Sequence, residues 1–271
     1  MKARPFEIAA LAFHDVCDDF TTSGMQRAVA GAYKHSTGTF ADHLSQIASS
    51  PGRVSTVRDW PVEQGGRQVM LTFDDGGKSA VYIGDELCRR GWRGHFFVIT
   101  SLVGQAGFLN DQDIKYLHSC GHVVGSHSHT HPEIFRALAM PEMVEEWRVS
   151  CDRLSSLLGK ACETASVPGG DSSRATYQSA DQAGLRFLFT SEPVLVPERV
   201  GQTWILGRAC LKRNTPPTHT GDLANFRGWR KEQAIRKAKV AARTLLFPIY
   251  KIYADRVAQQ PFTNAGTGGK G

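Results

Sequence analysis

Long hydrophobic runs are missing from this 271-residue chain, because His, Asp or Gly interrupts every apolar stretch well short of the roughly 18 to 20 residues of a membrane-spanning helix. No C-x-x-C pair occurs among the six cysteines, which favours reduced, structural thiols in a cytosolic protein over a disulfide framework or a zinc knot. Glu7 interrupts the first apolar stretch, so we expect an N-terminal strand and no secretory signal. G-x-S-x-G is absent and no cysteine neighbours a candidate base, so serine or cysteine nucleophiles have no support.

Short apolar segments of β type alternate with helical patterns, in a chain that is 41% hydrophobic and long enough for one α/β domain. The predicted strands are Ile8–Phe13, Arg53–Val57, Gln68–Phe73, His95–Ile99, His122–Gly125, Glu163–Val167, Leu185–Phe189 and Thr203–Leu206. The predicted helices are Phe40–Ala48, Ser79–Arg90, Asp111–Ser119, Pro141–Leu158 and Ser173–Ala183. This alternation implies a parallel sheet, either open or closed as a barrel, with chemistry at the carboxyl ends of its strands.

Two adjacent carboxylates follow a predicted strand in the segment TFDDGG (72–77). On a tight turn Asp74 and Asp75 point in different directions, so that one can bind a cation while the other takes a proton. The alternative interpretation is an Asp-Gly turn without chemistry.

Four histidines lie within the segment GHVVGSHSHTHP (121–132), after another predicted strand. His127 and His131 are four residues apart, so on one helical turn both side chains would project from the same face toward one metal ion. A chance cluster or a surface tract is the alternative. Two imidazoles and one carboxylate would leave coordination positions open, as catalytic zinc requires and structural zinc does not.

The two segments resemble motifs of the polysaccharide deacetylase family, in which T-F-D-D-G is followed by H-[ST]-x-x-H. TFDDG (72–76) and HSHTH (127–131) match position by position, and the order of elements is similar over roughly residues 8 to 210. The resemblance implies that Asp74 is the general base and that the fold is a distorted, incomplete (β/α) barrel. It also implies that the metal is bound by Asp75, His127 and His131.

The third motif of that family is altered in this chain. The family carries R-x-P-[YFW]-G, whose arginine orients the base, whereas SVPGG (166–170) has Ser166 in the arginine position and Gly169 in the aromatic one. Arg208, just after the last predicted strand, is the candidate to reach Asp74 instead. A solvent-exposed arginine is the alternative.

The fourth and fifth motifs are also reduced. The segment FTSEP offers only Glu192 as a loose substitute for the family's Asp, and LGR lacks the general-acid histidine of L-x-H. His14 in AFHDV resembles the Y-H-[DR]-V segment with which some branches of the family begin, and a histidine has a suitable pKa to protonate a leaving amine. We therefore predict that His14 is the acid or a close site residue. His129 is the weaker candidate for that role, and a polar strand end is the alternative for His14.

The predicted reaction removes N-acetyl groups from amino sugars of a polysaccharide, oligosaccharide or lipid-linked glycan, during assembly of an exported polysaccharide. A Zn²⁺-type ion, with Co²⁺ or another divalent ion as the alternative, would lower the pKa of bound water to about 7 and polarise the acetyl carbonyl. A backbone N–H at Gly169 or Gly170 would help to stabilise the oxyanion. The competing readings are a catalytically weak barrel that only binds glycans, and an amidohydrolase of the same fold acting on a non-sugar amide.

Positive charge concentrates near the C-terminus. Residues 226–271 hold ten Lys and Arg against two acidic residues, a net of +8, which leaves 22 basic and 24 acidic residues before them. Residues 227–256 have the spacing of a basic amphipathic helix, which predicts contact with an anionic membrane at the cytoplasmic face. A barrel-covering helix with a solvated face is the alternative, and no nucleic acid is expected. The predicted parts are a catalytic domain (1–225), a basic helical segment (226–260) and a disordered tail (261–271).

Overall fold

A computed structural model of the protein describes residues 6–60 and 66–245. The strands in these residues are β1 Glu7–Phe13, β2 Arg53–Ser55, β3 Arg67–Phe73, β4 His95–Val98, β5 Val123–Ser126, β6 Thr164–Ser166, β7 Phe187–Phe189, β8 Glu198–Val200, β9 Thr203–Leu206 and β10 Arg208–Cys210. The α-helices are α1 Thr37–Ala48, α2 Ala80–Arg89, α3 Asp111–Ser119, α4 Met140–Leu158, α5 Arg174–Gln182, α6 Pro217–Ala224 and α7 Trp229–Leu245.

Local sequence signals set the ends of the helices. At the start of α3, Asn110 accepts a hydrogen bond from the N–H of Asp113, whose carboxylate accepts one from the N–H of Asn110, both at 2.9 Å. Ser173 caps α5 in the same manner. Helix α4 stops at Gly159, which has a left-handed φ of 62° that favours glycine. These ends set where the chain turns back into the sheet.

All ten strands belong to one sheet, in the order β10-β1-β3-β4-β5-β6-β7-β9-β8, with β2 beside β3. Every pairing is parallel except that of β8 with β9. The carboxyl ends of the parallel strands therefore lie along one edge, where the polar segments of the sequence follow them. This is the predicted α/β fold, and its ladder of pairings is not closed.

Strands β9 and β10 bridge the two sides of the open barrel. They are separated by Gly207 alone, yet β9 pairs with β7 and β10 pairs with β1. Gly207 is required at this seam, because a Cβ there would overlap the carbonyl oxygen of Glu192 and the side chain of Val194. The seam is followed at once by Arg208, whose side chain is completely buried.

A row of phenyl rings supports the strand ends that carry the candidate site. Phe13 of β1 and Phe73 of β3 are stacked with ring centroids 5.7 Å apart, and Phe73 stacks on Phe96 of β4 at 5.0 Å. Each ring is buried, which stabilises the fold by about 1.5–3 kcal/mol per side chain. Because Phe13 precedes His14 and Phe73 precedes Asp74, this row fixes both polar residues relative to each other.

Helix α7 forms part of the predicted basic segment 227–256. Residues 246–256 of that segment and the predicted tail at 261–271 lie outside the described residues. Along the described part, Arg230, Lys231 and Lys237 are exposed. Within the described chain, no helix combines the length and the hydrophobicity that crossing a bilayer demands. Membrane contact and the boundaries of the three parts stay predictions.

Four buried histidines make the stability of the fold depend on pH. In His95, Nε2 accepts the N–H of Val57 and Nδ1 donates to the carbonyl of Leu71, both at 3.1 Å. A second proton on this ring would have to bind Nε2, where it would face the N–H of Val57. Burial lowers the pKa from 6.5 to about 4 for this histidine and three others, namely His35, His43 and His122. Since the folded-state pKa lies below the unfolded one, this stability is present above pH 6.5 and is lost as the pH falls toward 4.

We expect the free energy of unfolding to fall by roughly 2 kcal/mol per buried histidine between pH 7 and pH 5. Urea unfolding of the chelated protein at several pH values measures this, because chelation removes any contribution from metal binding. A free energy of unfolding that stays constant over this range would contradict the prediction.

Candidate active site

Asp75, His127 and His131 meet at the carboxyl ends of β3 and β5. Nε2 of His127 lies 3.4 Å and Nε2 of His131 lies 3.9 Å from Oδ1 of Asp75, and the donor atoms all lie within 4.8 Å of one another. Among the described residues, no other group of His, Cys, Asp and Glu side chains gathers in this way. Two imidazoles and one carboxylate fit a divalent ion such as Zn²⁺ that keeps open positions for water and substrate.

A strained turn separates the two adjacent carboxylates. Asp75 has a φ of 75°, which is rare outside glycine, and Gly76 follows with a φ of 74°. Gly76 also packs against the backbone of Val98, where a Cβ would lie 3.2 Å from the Cα. As the sequence predicts, the turn sends Asp74 and Asp75 to different partners.

The predicted helical turn for the two histidines is wrong, because an irregular loop carries them. In this loop Ser128 and His131 have φ values of 64° and 56°. One oxygen of Glu146 in α4 accepts the N–H groups of His129 and Thr130, both at 2.8 Å, and Oγ of Ser128 accepts that of His131 at 3.0 Å. Side-chain oxygens therefore replace the carbonyl acceptors of a helix, and the loop still turns the rings of His127 and His131 toward Asp75.

Arg208 binds Asp74 in the interior of the barrel. Nη1 and Nη2 of Arg208 donate to Oδ1 and Oδ2 of Asp74 at 2.7 and 2.9 Å, a bidentate pair. Nε donates to the carbonyl of Thr190 at 2.9 Å, and Nη1 also donates to Oγ1 of Thr72 at 3.1 Å. Burial would raise the pKa of Asp74, but Arg208 and His127 outweigh it and the pKa is lowered. The carboxylate is therefore ionised and can accept a proton.

The region that carries most of these side chains is similar in sequence to a known protein family. Residues 62–188 match the model of a known family, described as polysaccharide deacetylase. Residues 62–188 therefore carry a polysaccharide deacetylase domain. The matched region contains the base candidate and the three metal-binding candidates, and Arg208 lies beyond it. Among curated proteins, none matches the chain by sequence.

Solved structures share the fold of this polysaccharide deacetylase domain. A polysaccharide deacetylase from Bacillus cereus is 18% identical with a TM-score of 0.68, covering 80% of this chain and 69% of that one. IcaB from Ammonifex degensii is 21% identical with a TM-score of 0.66, covering 82% and 98%. The deacetylase PplD from Streptococcus pyogenes, in complex with acetate, is 18% identical with a TM-score of 0.62, covering 79% and 96%. These similarities confirm the predicted distorted, incomplete (β/α) barrel.

Ser166, at the end of β6, joins the two halves of the site in this deacetylase domain. Its Oγ donates to Oδ1 of Asp74 at 3.1 Å and lies 2.6 Å from Nδ1 of His127, which is also 3.1 Å from the carbonyl of Ser166. With the Nδ1 proton directed to Ser166, Nε2 beside Asp75 is the ring nitrogen that could bind a metal ion. From the sequence, Ser166 was identified only as the residue that replaces the arginine of the third motif. Its position at the end of a predicted strand could have indicated a residue of the site.

His14 lies close to both carboxylates of the deacetylase domain. Its ring packs on Tyr33 with centroids 4.7 Å apart and planes tilted by 38°. His14 is among the influences that lower the pKa of Asp74 and of Asp75. Its Nδ1 is buried and has no hydrogen-bond partner among the described residues.

Two other candidates for roles in the deacetylase site have different partners. Nδ1 of His129 lies 3.0 Å from Oγ1 of Thr100, so this ring is engaged outside the metal-binding group. Glu192 forms an ion pair with Arg236 at 2.8 Å. Asp74 has a different partner, since its ion pair is with Arg208. Nothing in the sequence pattern of α7 indicated that Arg236 would reach this loop.

The two glycines after β6 differ in their backbone N–H groups. Gly170 donates its N–H to the carbonyl of Val167 at 3.3 Å inside the turn. The N–H of Gly169 has no such acceptor within the described residues. Of the two predicted oxyanion donors, Gly169 is therefore the one left free in the deacetylase domain.

Proposed function

We propose that this protein is a metal-dependent hydrolase that removes acetyl groups from N-acetylated amino sugars of a glycan. The observation that supports it most directly is the meeting of Asp75, His127 and His131 beside the ionised pair of Asp74 and Arg208. PplD, whose fold is similar, is in complex with acetate, a product of the reaction that we propose.

Asp75, His127 and His131 would hold the metal, with Zn²⁺ or Co²⁺ as the divalent ions that suit the donor set. When bound, such an ion acidifies water and polarises the acetyl carbonyl. Ser166 and the carboxylate of Asp75 orient the two histidine rings toward that position. Asp75 and His127 are buried and the side chain of His131 is 14% exposed, so the three side chains need little rearrangement on binding.

The chain's own residues supply the proton transfers. Asp74 takes a proton from the water that attacks the acetyl carbon, while Arg208 keeps the carboxylate ionised and fixes its plane. The N–H of Gly169 donates to the oxygen that gains negative charge. When the C–N bond breaks, the nitrogen takes a proton from His14, and the products are acetate and a free amine.

The glycan and the compartment are inferred from less direct observations. The family and the similar structures are named for deacetylation of polysaccharides, so we propose a polysaccharide, oligosaccharide or lipid-linked glycan as the substrate. All six cysteines are free, as expected of a protein that acts in the cytoplasm. Assembly of an exported polysaccharide is the process in which we place it.

Release of acetate from an N-acetylglucosamine oligomer tests the proposed function. We expect release by the metal-loaded protein, loss of at least 10²-fold after chelation, and recovery with Zn²⁺ or Co²⁺ because the ion activates the water. Bound metal without acetate release from a panel of glycans would favour a glycan-binding barrel. Release from non-sugar amides alone would favour the amidohydrolase alternative.

Replacing His14 by Ala is expected to lower kcat by about 10²-fold, because the leaving amine loses its proton donor. Metal content should be unchanged, since His14 is not one of the metal-binding side chains, and elemental analysis measures it. His129→Ala is the matched control and should keep kcat within about two-fold. Equal rates for wild type and His14→Ala would exclude His14 as the acid.

A further inference from the structure

One face of helix α7 contacts the rest of the domain. Trp229 is buried in the main core, and its Nε1 donates to the carbonyl of Leu223 at 2.9 Å. Glu232, three residues further on, lies 3.1 Å from Nε2 of His219. Arg236 comes four residues later on the same face, because positions three and four apart in a helix are neighbours. The face therefore continues from the core to Arg236.

Arg236 connects two loops at the site end of the barrel. Its Nε donates to Oε1 of Glu192 at 2.9 Å, and Nη2 donates to the carbonyl of Gly170. The side chain is 13% exposed, whereas Lys237, the next residue, is on the exposed face. A cation removed from water requires paired acceptors, and here one acceptor comes from the loop after β6 and the other from the loop after β7.

The loop after β6 leads directly to the base. Gly170 closes the turn that follows Ser166, whose hydroxyl contacts both Asp74 and His127. Gly170 has a φ of 65°, and a Cβ there would overlap the side chain of Ser191. The turn therefore packs closely on the second loop, and a shift of its carbonyl would be transmitted to Ser166.

The loop after β7 leads to the same base by a second route. The carbonyl of Glu192 accepts the N–H of Arg208 at 3.0 Å, and that of Thr190 accepts Nε of Arg208. Arg208 in turn holds both carboxylate oxygens of Asp74. Arg236 is thus linked to Asp74 through each of the loops that it joins.

We infer that Arg236 is a positioning residue, which fixes the loops after β6 and β7 and so sets the orientation of Asp74, and that α7 is part of the active-site structure. The inference rests on the proposed function for its catalytic consequence. Its structural part, the ordering of the two loops by one side chain of α7, is independent of the substrate.

Arg236→Met and Arg236→Lys test the inference, with Lys237→Met, at an exposed position of the same helix, as the matched control. Hydrogen exchange of the metal-loaded protein should show lower protection of the Gly170, Glu192 and Arg208 amides in Arg236→Met, and unchanged protection in Lys237→Met. We expect kcat to fall about 10-fold in Arg236→Met with KM changed less than three-fold, because a small shift of the base costs rate more than binding. Arg236→Lys keeps the charge and should recover part of kcat.

The two kinds of failure are distinguishable. A wild type that releases no acetate would refute the proposed function, while hydrogen exchange would still test the ordering of the loops. Protection and kcat that stay at wild-type values in Arg236→Met would overturn the inference, as would equal losses in Lys237→Met. If Arg236→Met unfolds, Glu192→Gln removes the same ion pair from the loop side, and it should reproduce the loss of protection and of kcat.

Discussion

Replacing Asp74 by Asn is expected to lower kcat for acetate release by about 10³-fold, because an amide of the same shape cannot take a proton from the attacking water. The proposed metal ligands Asp75, His127 and His131 are untouched, so the metal content should equal that of the wild type. Steady-state kinetics and elemental analysis of the same preparation measure the two quantities together.

A control is needed because Asn at position 74 also removes the counter-ion of the buried Arg208. Thermal unfolding of Asp74→Asn should therefore show a loss of stability that is absent in Asp19→Asn, an exposed aspartate. Rates are compared well below the unfolding transition. If Asp74→Asn keeps more than a tenth of the wild-type kcat, another group accepts the proton.

Replacing Arg208 by Met is expected to lower the free energy of unfolding by about 3–5 kcal/mol, since it leaves the Asp74 carboxylate buried without its cation. Without Arg208, burial would raise the pKa of Asp74, which is lowered in the wild type. Stability from a lowered carboxyl pKa is present above the unfolded pKa, so the deficit of the variant should be largest near neutral pH and shrink as the pH falls. The pH at which kcat rises should move upward.

Arg227→Met is the matched control for this substitution. Arg227 donates to Asp222 at 2.8 Å in a pair whose side chains are 69% and 50% exposed, and such pairs contribute at most about 1 kcal/mol. The double variant Asp74→Asn with Arg208→Met removes both buried charges and should be more stable than Arg208→Met alone. Equal stabilities of Arg208→Met and Arg227→Met would show that the buried pair does not stabilise the fold.

The fold was predictable from the sequence because the apolar segments alternate regularly with helical patterns. All five predicted helices and all eight predicted strands correspond to elements of the structure. Three short elements were not predicted, namely β8, β10 and α6, with three, three and eight residues. Their periodicity is too brief to detect. The change of strand partner at Gly207 depends on contacts with Glu192 and Val194, which no local pattern encodes.

The site was predictable where motifs are local, and was missed where contacts are distant. Asp74, Asp75, His127 and His131 stand in two compact segments, and the structure brings them together. The burial of Arg208 against Asp74 depends on the pairing of β10 with β1, so the sequence could offer Arg208 only as a candidate. The link from Arg236 to Gly170 joins a helix to a distant loop, and its residue types resemble those of any solvated basic helix.

The change of strand partner at Gly207, between β9 and β10, has a consequence for how the protein folds. Asp74 and Arg208 are 134 residues apart, and Arg208 lies on β10, which pairs with β1. Contacts of such long sequence separation form against a large loss of chain entropy. A polypeptide ended before Gly207 would hold Asp75, His127 and His131 but would leave Asp74 without its counter-ion, so β10 supplies a part of the proposed site that the earlier strands lack.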